Sequence, residues 1–236
     1  MFKLKKWEDL PLNMQRDEVY SYYLILKSKS VQLFIKRLFD LVFGIILGIL
    51  LSPIIIIIAI IIKCTSPGTV FFTQDRVTTN GKIFKILKFR TMSMDAEKNG
   101  AQVTKKNDPR ITSIGHKLRK YRLDELPQIF NVIKGEMSFV GTRPEVLHYV
   151  EDYTPEMMST LLLPAGITSK ASIAYRNEEE LLNKSVNVDI AYIYKILPKK
   201  MEYNLTYIKK FNLFYDMLIM LETLASVLIK EKKKDK

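Results

Sequence analysis

Leu41 to Ile62 is a run of 22 residues without a charge, preceded by Asp40 and closed by Lys63. As a straight α-helix at about 1.5 Å per residue it would be roughly 33 Å long, enough to cross a hydrocarbon core of about 30 Å. A helix buried in a soluble core keeps a polar face, and this run has none. It therefore belongs in lipid. About forty residues, many of them charged, precede it and no small-residue cleavage pattern follows, so it does not read as a cleavable signal peptide.

Ser52 and Pro53 fall in the middle of the run. Proline has no N–H for the carbonyl of Ile49 and its ring crowds that carbonyl, so a bend is expected there. Each arm would then be about 11 residues or roughly 16 Å, the depth of one leaflet. Cations flank both ends: Lys27, Lys29, Lys36 and Arg37 before, Lys63, Arg76, Lys82, Lys85, Lys88 and Arg90 after. The positive-inside tendency puts both flanks in the cytoplasm, which a full span cannot do. A re-entrant helix broken at Ser52-Pro53 satisfies both conditions; a kinked single-pass helix is the alternative.

The remainder is a basic chain for a reducing compartment. Lys and Arg number 37 against 25 Asp and Glu, a net charge of +12, and 47% hydrophobic content excludes intrinsic disorder. Cys64, the single cysteine, excludes a disulfide framework, and His116 and His148 alone argue against a zinc site. Both histidines read as ordinary surface or packing residues. The organisation expected is a lead-in (1–35), the re-entrant helix (36–63), a cytosolic domain with a C-terminal amphipathic helix (64–229) and a basic tail (230–236). The fold class is α+β, a mainly helical domain with a small β-hairpin. That hairpin is expected where β-type runs at Val70-Phe71-Phe72 and Ile83–Ile86 flank Asn80-Gly81. Residues 95–110 read as a loop, and Thr112 or Ser113 can cap a helix reaching about Leu123. Asp124 can cap the next helix, which ends near Gly135. The chain is turn-rich from Gly141 to Gly166, with helices at about 177–184, 186–195 and 203–230.

Chemistry concentrates between Lys105 and Arg122, where seven cations face one anion, Asp108. Arg119 and Arg122, three apart, would share a helical face, and Asp124 and Glu125 follow directly. Carboxylates beside clustered cations should stay ionised, which favours a nucleophile or a metal ligand over a general acid. If Asp124 caps a helix, Pro127 removes one N–H from its reach, and a phosphate is favoured at the same helix start. Mg²⁺ suits such a site, being held by one or two carboxylates plus substrate phosphates. On spacing alone, a capped helix with surface ion pairs accounts for the same residues. Lys88 and Arg90 alternate to one side of a strand as a phosphate rail or a solvated face, and Arg143 sits in a Gly- and Pro-bounded turn. Neither a P-loop nor a GxGxxG motif occurs, and no nucleic-acid-binding module accompanies the positive charge.

Five segments occur in order: Lys36-Arg37-Leu38-Phe39-Asp40, the Ser52-Pro53 break, Lys88-Phe89-Arg90-Thr91-Met92, Leu123-Asp124-Glu125-Leu126-Pro127-Gln128 and Met137-Ser138-Phe139-Val140-Gly141-Thr142-Arg143-Pro144. Over roughly residues 34–177 the chain resembles the small monotopic phosphoglycosyl transferases, bacterial sugar transferases that begin capsule, O-antigen and glycoprotein glycan assembly. The resemblance implies a re-entrant helix in the bacterial inner membrane and a catalytic domain on its cytoplasmic face. It implies Mg²⁺-dependent transfer of a sugar phosphate from a UDP-sugar to undecaprenyl phosphate with release of UMP. It further implies that Asp124 attacks the diphosphate to form a covalent phosphosugar intermediate, that Glu125 assists with the metal, and that Lys88, Arg119 and Arg143 are cationic site positions. Membrane lipid and downstream glycosyltransferases would be its partners. Two departures stand out: Thr142 replaces a usual proline, and Leu163–Lys170 replaces a common Arg-Pro-Gly-Ile-Thr-Gly run with one extra residue. A membrane-anchored scaffold without chemistry and an anchored nucleic-acid binder are the competing readings.

Overall fold

The computed structural model describes residues 3–93, 108–182 and 187–228; most of the expected 95–110 loop and the whole basic tail lie outside them. A short helix α1 (Asp17–Ser28) leads into α2 (Ser30–Thr65), which contains the apolar run. Strands β1 (Phe71–Val77) and β2 (Ile83–Phe89) form the expected hairpin, antiparallel with Phe71 opposite Phe89 and Val77 opposite Ile83. Its turn places Asn80 and Gly81 at φ 56° and 72°, the left-handed region that this residue pair tolerates.

Helices α3 (Ser113–Lys120) and α4 (Gln128–Lys134) then lead to strand β3 (Met137–Val140). After α5 (Leu147–Glu151), strand β4 (Ala165–Thr168) pairs in parallel with β3. That second sheet was not expected from the sequence: β3 is four residues long and buried at every position, so it shows no alternation to read. Its loop ends meet closely, since a Cβ on Gly166 would lie 2.1 Å from the Gly141 nitrogen.

The chain closes with α6 (Lys170–Ala174), α7 (Glu178–Leu182), α8 (Val188–Ala191), α9 (Leu197–Lys210) and α10 (Leu213–Leu228). The single helix expected over 203–230 is in fact two. Asn212 divides them, its side-chain oxygen accepting the Tyr215 N–H at 2.8 Å as a helix cap. The lead-in is no free arm: Leu10, Met14, Val19, Tyr22, Tyr23 and Leu26 join the main core with residues of β3, β4 and α9.

Helix α2 is long and apolar enough to cross a membrane, and 17% of its most apolar window is buried. It runs helically through Pro53, so what is broken at Ser52-Pro53 is a hydrogen bond rather than the helix. Ser52 Oγ donates to the Ile49 carbonyl at 2.8 Å, supplying the proton that Pro53 lacks. Both arms pack on the same domain. In the first arm, Gly44 and Gly48 let the helix lie against Ile129, Val132 and Ile133 of α4. In the second, Ile55, Ile58 and Ile62 cluster with Phe89 and Leu118. Away from these contacts Ile46, Ile49, Leu50, Ile57 and Ile60 are each more than half exposed, an apolar face with no protein cover.

Lys36, Arg37 and Asp40, just before the run, are anchors to the rest of the fold. Arg37 donates to the Val132 and Ile133 carbonyls at 2.6 and 2.8 Å, satisfying the C-terminal end of α4. Asp40 accepts the Phe139 N–H at 3.2 Å. Lys36 Nζ lies 2.6 Å from Asp216 of α10, and both side chains are buried. Asp216 also accepts from the Tyr207 hydroxyl at 2.7 Å. Lys36→Met should destabilise the protein by about 3–5 kcal/mol, because it strands a buried carboxylate. The double variant Lys36→Met/Asp216→Leu should recover most of that loss in denaturation measured in detergent micelles. An equal loss in the double variant would show that the pair is not the source.

Candidate active site

The site is built where β2, the α3–α4 connection and the loop after β3 converge. Thr112 caps α3, its Oγ1 accepting the Gly115 N–H at 3.0 Å, while its own N–H donates to the Thr91 carbonyl at 2.9 Å. Gly115 is required there because a Cβ would lie 2.2 Å from that same carbonyl oxygen. The helix stops at Lys120, short of Leu123, and Arg122 turns the chain at φ 57°. Arg119 and Arg122 therefore do not share a helical face, although both positive charges act on Asp124.

Leu123–Glu125 form a single 3₁₀ turn, and α4 starts only at Gln128, so Asp124 is not the cap of α4. Leu123 and Leu126, on either side of the acidic pair, pack against the cluster that holds Ile55, Ile58 and Ile62 of α2. The backbone of the dyad thus leans on the second arm of the apolar helix.

The two carboxylates have unequal surroundings. Glu125 Oε1 receives Arg143 Nη2 at 2.6 Å and Lys88 Nζ at 3.4 Å, with Arg122 Nη1 at 3.9 Å. Arg143 Nη1 lies 3.5 Å from the other oxygen, completing a two-pronged contact. Burial pushes the Glu125 carboxyl up, but Arg143, Lys88 and Arg122 outweigh it and hold the group well below the usual carboxylate range. Asp124 is 8% exposed and its Oδ1 has no hydrogen-bond partner. Burial, reinforced by the Glu125 charge, raises its pKa against the pull of Lys88, Arg122 and Arg119. The expectation that nearby cations depress both carboxylates holds for Glu125 and reverses for Asp124. The cations sit on the neighbour.

Lys88 reaches the dyad from β2, whose alternation buries Phe84 and Ile86 on the face that Lys88 shares. Arg90 continues that alternation but does not extend a rail. It is 5% exposed, and its Nη1 and Nη2 donate to the Pro67 and Ser66 carbonyls at 2.8 Å each, holding the segment that follows α2. Arg122 is the exposed member, with Nη2 3.4 Å from the Arg176 carbonyl.

The turn presenting Arg143 is fastened by residues that sequence reasoning left outside the site. Arg76 Nη1 donates to the Pro144 carbonyl at 3.1 Å, and the Val77 N–H to the Glu145 carbonyl at 2.9 Å. The buried Glu145 carboxylate accepts from the Tyr192 hydroxyl at 2.5 Å and lies 3.4 Å from Lys200 Nζ. Lys200 in turn reaches Glu178 at 3.1 Å. The signal available for this network was the charge pair at 143 and 145 flanking a proline. A second group without a stated role is Gln128, one turn beyond the dyad, 1% exposed with neither amide atom hydrogen-bonded.

Among the described residues no three His, Cys, Asp or Glu side chains gather to hold a metal ion. The dyad offers two carboxylates, a donor set that fits a hard cation completed by substrate phosphate oxygens and not a closed protein cage. With Lys88, Arg122 and Arg143 gathered on Glu125 and an unengaged carboxylate oxygen on the adjacent Asp124, the arrangement is chemically compatible with nucleophilic attack on a phosphorus.

Burial lowers the Lys88 ammonium to about 8, against the Glu125 charge that supports it. In the ligand-free protein the ¹³Cε resonance of Lys88 should titrate near pH 8. Glu125→Gln, which removes the supporting charge, should move that midpoint downward; an unmoved or raised midpoint would show that the two groups are not coupled.

The model of the bacterial sugar transferase family matches residues 31–230. The chain is similar to the UDP-N-acetylgalactosamine-undecaprenyl-phosphate N-acetylgalactosaminephosphotransferase of Aeromonas hydrophila, 36% identical over 84% of this chain and 44% of the relative. It is 36% identical to the UDP-glucose:undecaprenyl-phosphate glucose-1-phosphate transferase of Escherichia coli (strain K12), over 82% of this chain and 40% of that protein. It is 33% identical to the exopolysaccharide production protein ExoY of Rhizobium meliloti (strain 1021), over 81% of this chain and 84% of that protein. The chain thus spans less than half the length of the first two relatives and most of the third. A family match over residues 31–230, with several relatives above 30% identity, establishes that the chain belongs to the bacterial sugar transferase family.

Proposed function

We propose that this protein transfers a sugar 1-phosphate from a UDP-sugar to undecaprenyl phosphate and releases UMP, as the first membrane step of surface polysaccharide or glycan biosynthesis. The observation that carries the reading is the unequal dyad: Glu125 is bound by Arg143 and Lys88, while the adjacent Asp124 keeps an oxygen without a protein partner. The activities for which the Aeromonas and Escherichia relatives are named support the same substrate classes.

In the first displacement an Asp124 carboxylate oxygen attacks the β-phosphorus of the donor. The bond from that phosphorus to the bridging oxygen breaks and UMP departs with the bridging oxygen, leaving the phosphosugar on Asp124 as an acyl phosphate. In the second, a phosphate oxygen of the lipid attacks the same phosphorus, and Asp124 leaves as a carboxylate. Lys88, Arg122 and Arg143 offset the phosphate charge that would repel Asp124, and Arg119 adds to that field. Glu125 with Asp124 would hold Mg²⁺, which when bound supplies further neutralisation of the diphosphate.

The reading includes a re-entrant α2 in the bacterial inner membrane with the catalytic domain on the cytoplasmic face. What supports it is that both arms pack on one domain and that the anchors Arg37 and Arg90 lie at opposite ends of the helix. Downstream glycosyltransferases would take up the lipid-linked product.

In a UMP-release assay with polyprenyl phosphate, Asp124→Asn should lower turnover on the order of 10³-fold or more. Full activity in that variant would remove the nucleophile, and no UMP from any UDP-sugar with the unaltered protein would remove the function. In a Cys64→Ser background, cysteines placed at positions 30 and 70 should label from the same side of sealed inverted vesicles. Labelling from opposite sides would mean a full span.

A further inference from the structure

Gln128 is the least explained polar residue near the dyad. It is buried to 1% exposure, yet neither Oε1 nor Nε2 has a hydrogen-bond partner. A buried amide left unpaired is destabilising, so such groups are rare in a folded chain unless something else pairs with them. Its position indicates what that is. The segment from Leu123 is helical through the 3₁₀ turn and Pro127 into α4, with Leu126 and Pro127 both in the right-handed region. Gln128 lies three residues from Glu125 and four from Asp124, one turn away on the dyad's side of the helix. One turn further, Asn131 is fully engaged on β2, bonding the Leu87 N–H at 3.0 Å and the Lys85 carbonyl at 2.9 Å. Lys88 of the same strand faces Glu125. By helical spacing Gln128 falls between a satisfied amide and the dyad, on the face that Asn131 turns to β2.

Asp124 Oδ1 is the other buried polar atom of this helix start without a partner. Two side chains with unmet hydrogen-bonding capacity thus lie one helical turn apart, beside a Glu125 that holds Lys88, Arg122 and Arg143, and an oxygen-rich anion is the ligand that would complete their pairing. We propose that Gln128 is a substrate-binding residue, its carboxamide N–H₂ donating to a non-bridging oxygen of the phosphoryl group presented to Asp124. The inference rests on the reading of the site as a phosphosugar transferase and adds a contact to it. Gln128 has no proton to transfer; it orients the phosphorus toward the carboxylate.

The test separates a ligand-binding amide from a structural one. Gln128→Met keeps the volume and removes the unpaired amide. For a substrate-binding residue, the variant should be as stable as the unaltered protein or melt roughly 2–4 °C higher, since no internal hydrogen bond is lost. Its kcat/KM for the UDP-sugar in the UMP-release assay should fall roughly 10–100-fold, the range for a lost hydrogen bond to a charged group. A lower melting temperature would assign Gln128 to the core, and an unchanged kcat/KM would remove it from the site; either result overturns the proposal. Gln128→Glu keeps the shape but sets a carboxylate against the phosphate oxygens, so retained turnover in that variant also contradicts it. The melting comparison needs no substrate. If the unaltered protein released no UMP from any UDP-sugar, the transferase reading would fail, while the stability result would still report whether the amide is held for a ligand.

Discussion

Arg143 lies 2.6 Å from Glu125 and makes no such contact with Asp124, and the rest of the site depends on that division of charge. Two adjacent carboxylates in a buried recess repel one another, and a single set of cations can relieve the repulsion by neutralising one of them. Here Arg143, Lys88 and Arg122 all bear on Glu125. Asp124 is left buried, raised in pKa and without a bonded partner on Oδ1, close enough to Lys88 and Arg122 to be influenced by them but not occupied by them. A carboxylate locked in a short salt bridge is a poor nucleophile. One that is desolvated and unengaged, beside cations able to accept a phosphate, is a good one.

The apolar helix does more than present an uncovered face. Its first arm is fixed by Lys36, Arg37 and Asp40 to α10, α4 and β3, and its second arm packs against Leu123 and Leu126, which bracket the dyad. Any displacement of the second arm is therefore transmitted to the backbone that carries Asp124 and Glu125. The uncovered face of the helix remains apolar along its length, from Val31 to Ile61. The wall that supports the site is thus the same helix that leaves an apolar face uncovered, as the proposed reaction between a water-soluble donor and a bilayer-borne acceptor would require.

Much of this was legible in the sequence, for reasons that can be named. An uncharged run of 22 residues and a turn signal at Asn80-Gly81 are local features, and the helix and the hairpin followed from them. The acidic pair stood out beside a dense cationic stretch, but its spacing fitted a capped helix with surface ion pairs as well, and only the family resemblance gave Asp124 and Glu125 roles. Alternation gave Lys88 and Arg90 a common face but could not give their partners: one reaches Glu125, the other the backbone after α2. The cap expected at Asp124 was displaced because Arg122 adopts a left-handed conformation and starts a 3₁₀ turn, a tertiary choice that no propensity scale anticipates. Strands β3 and β4 have four residues each, too few to show a period, and the Glu145–Lys200–Glu178 network joins residues up to 55 positions apart.

The most direct measurement is peptide mass mapping of the protein quenched after brief exposure to the UDP-sugar that supports UMP release, with polyprenyl phosphate withheld. One phosphosugar on the peptide spanning Leu123–Gln128, assigned to Asp124 and discharged when polyprenyl phosphate is added, is the expected result. An adduct on Glu125, or UMP formed only when both substrates are present and with no covalent species at any time, would contradict it.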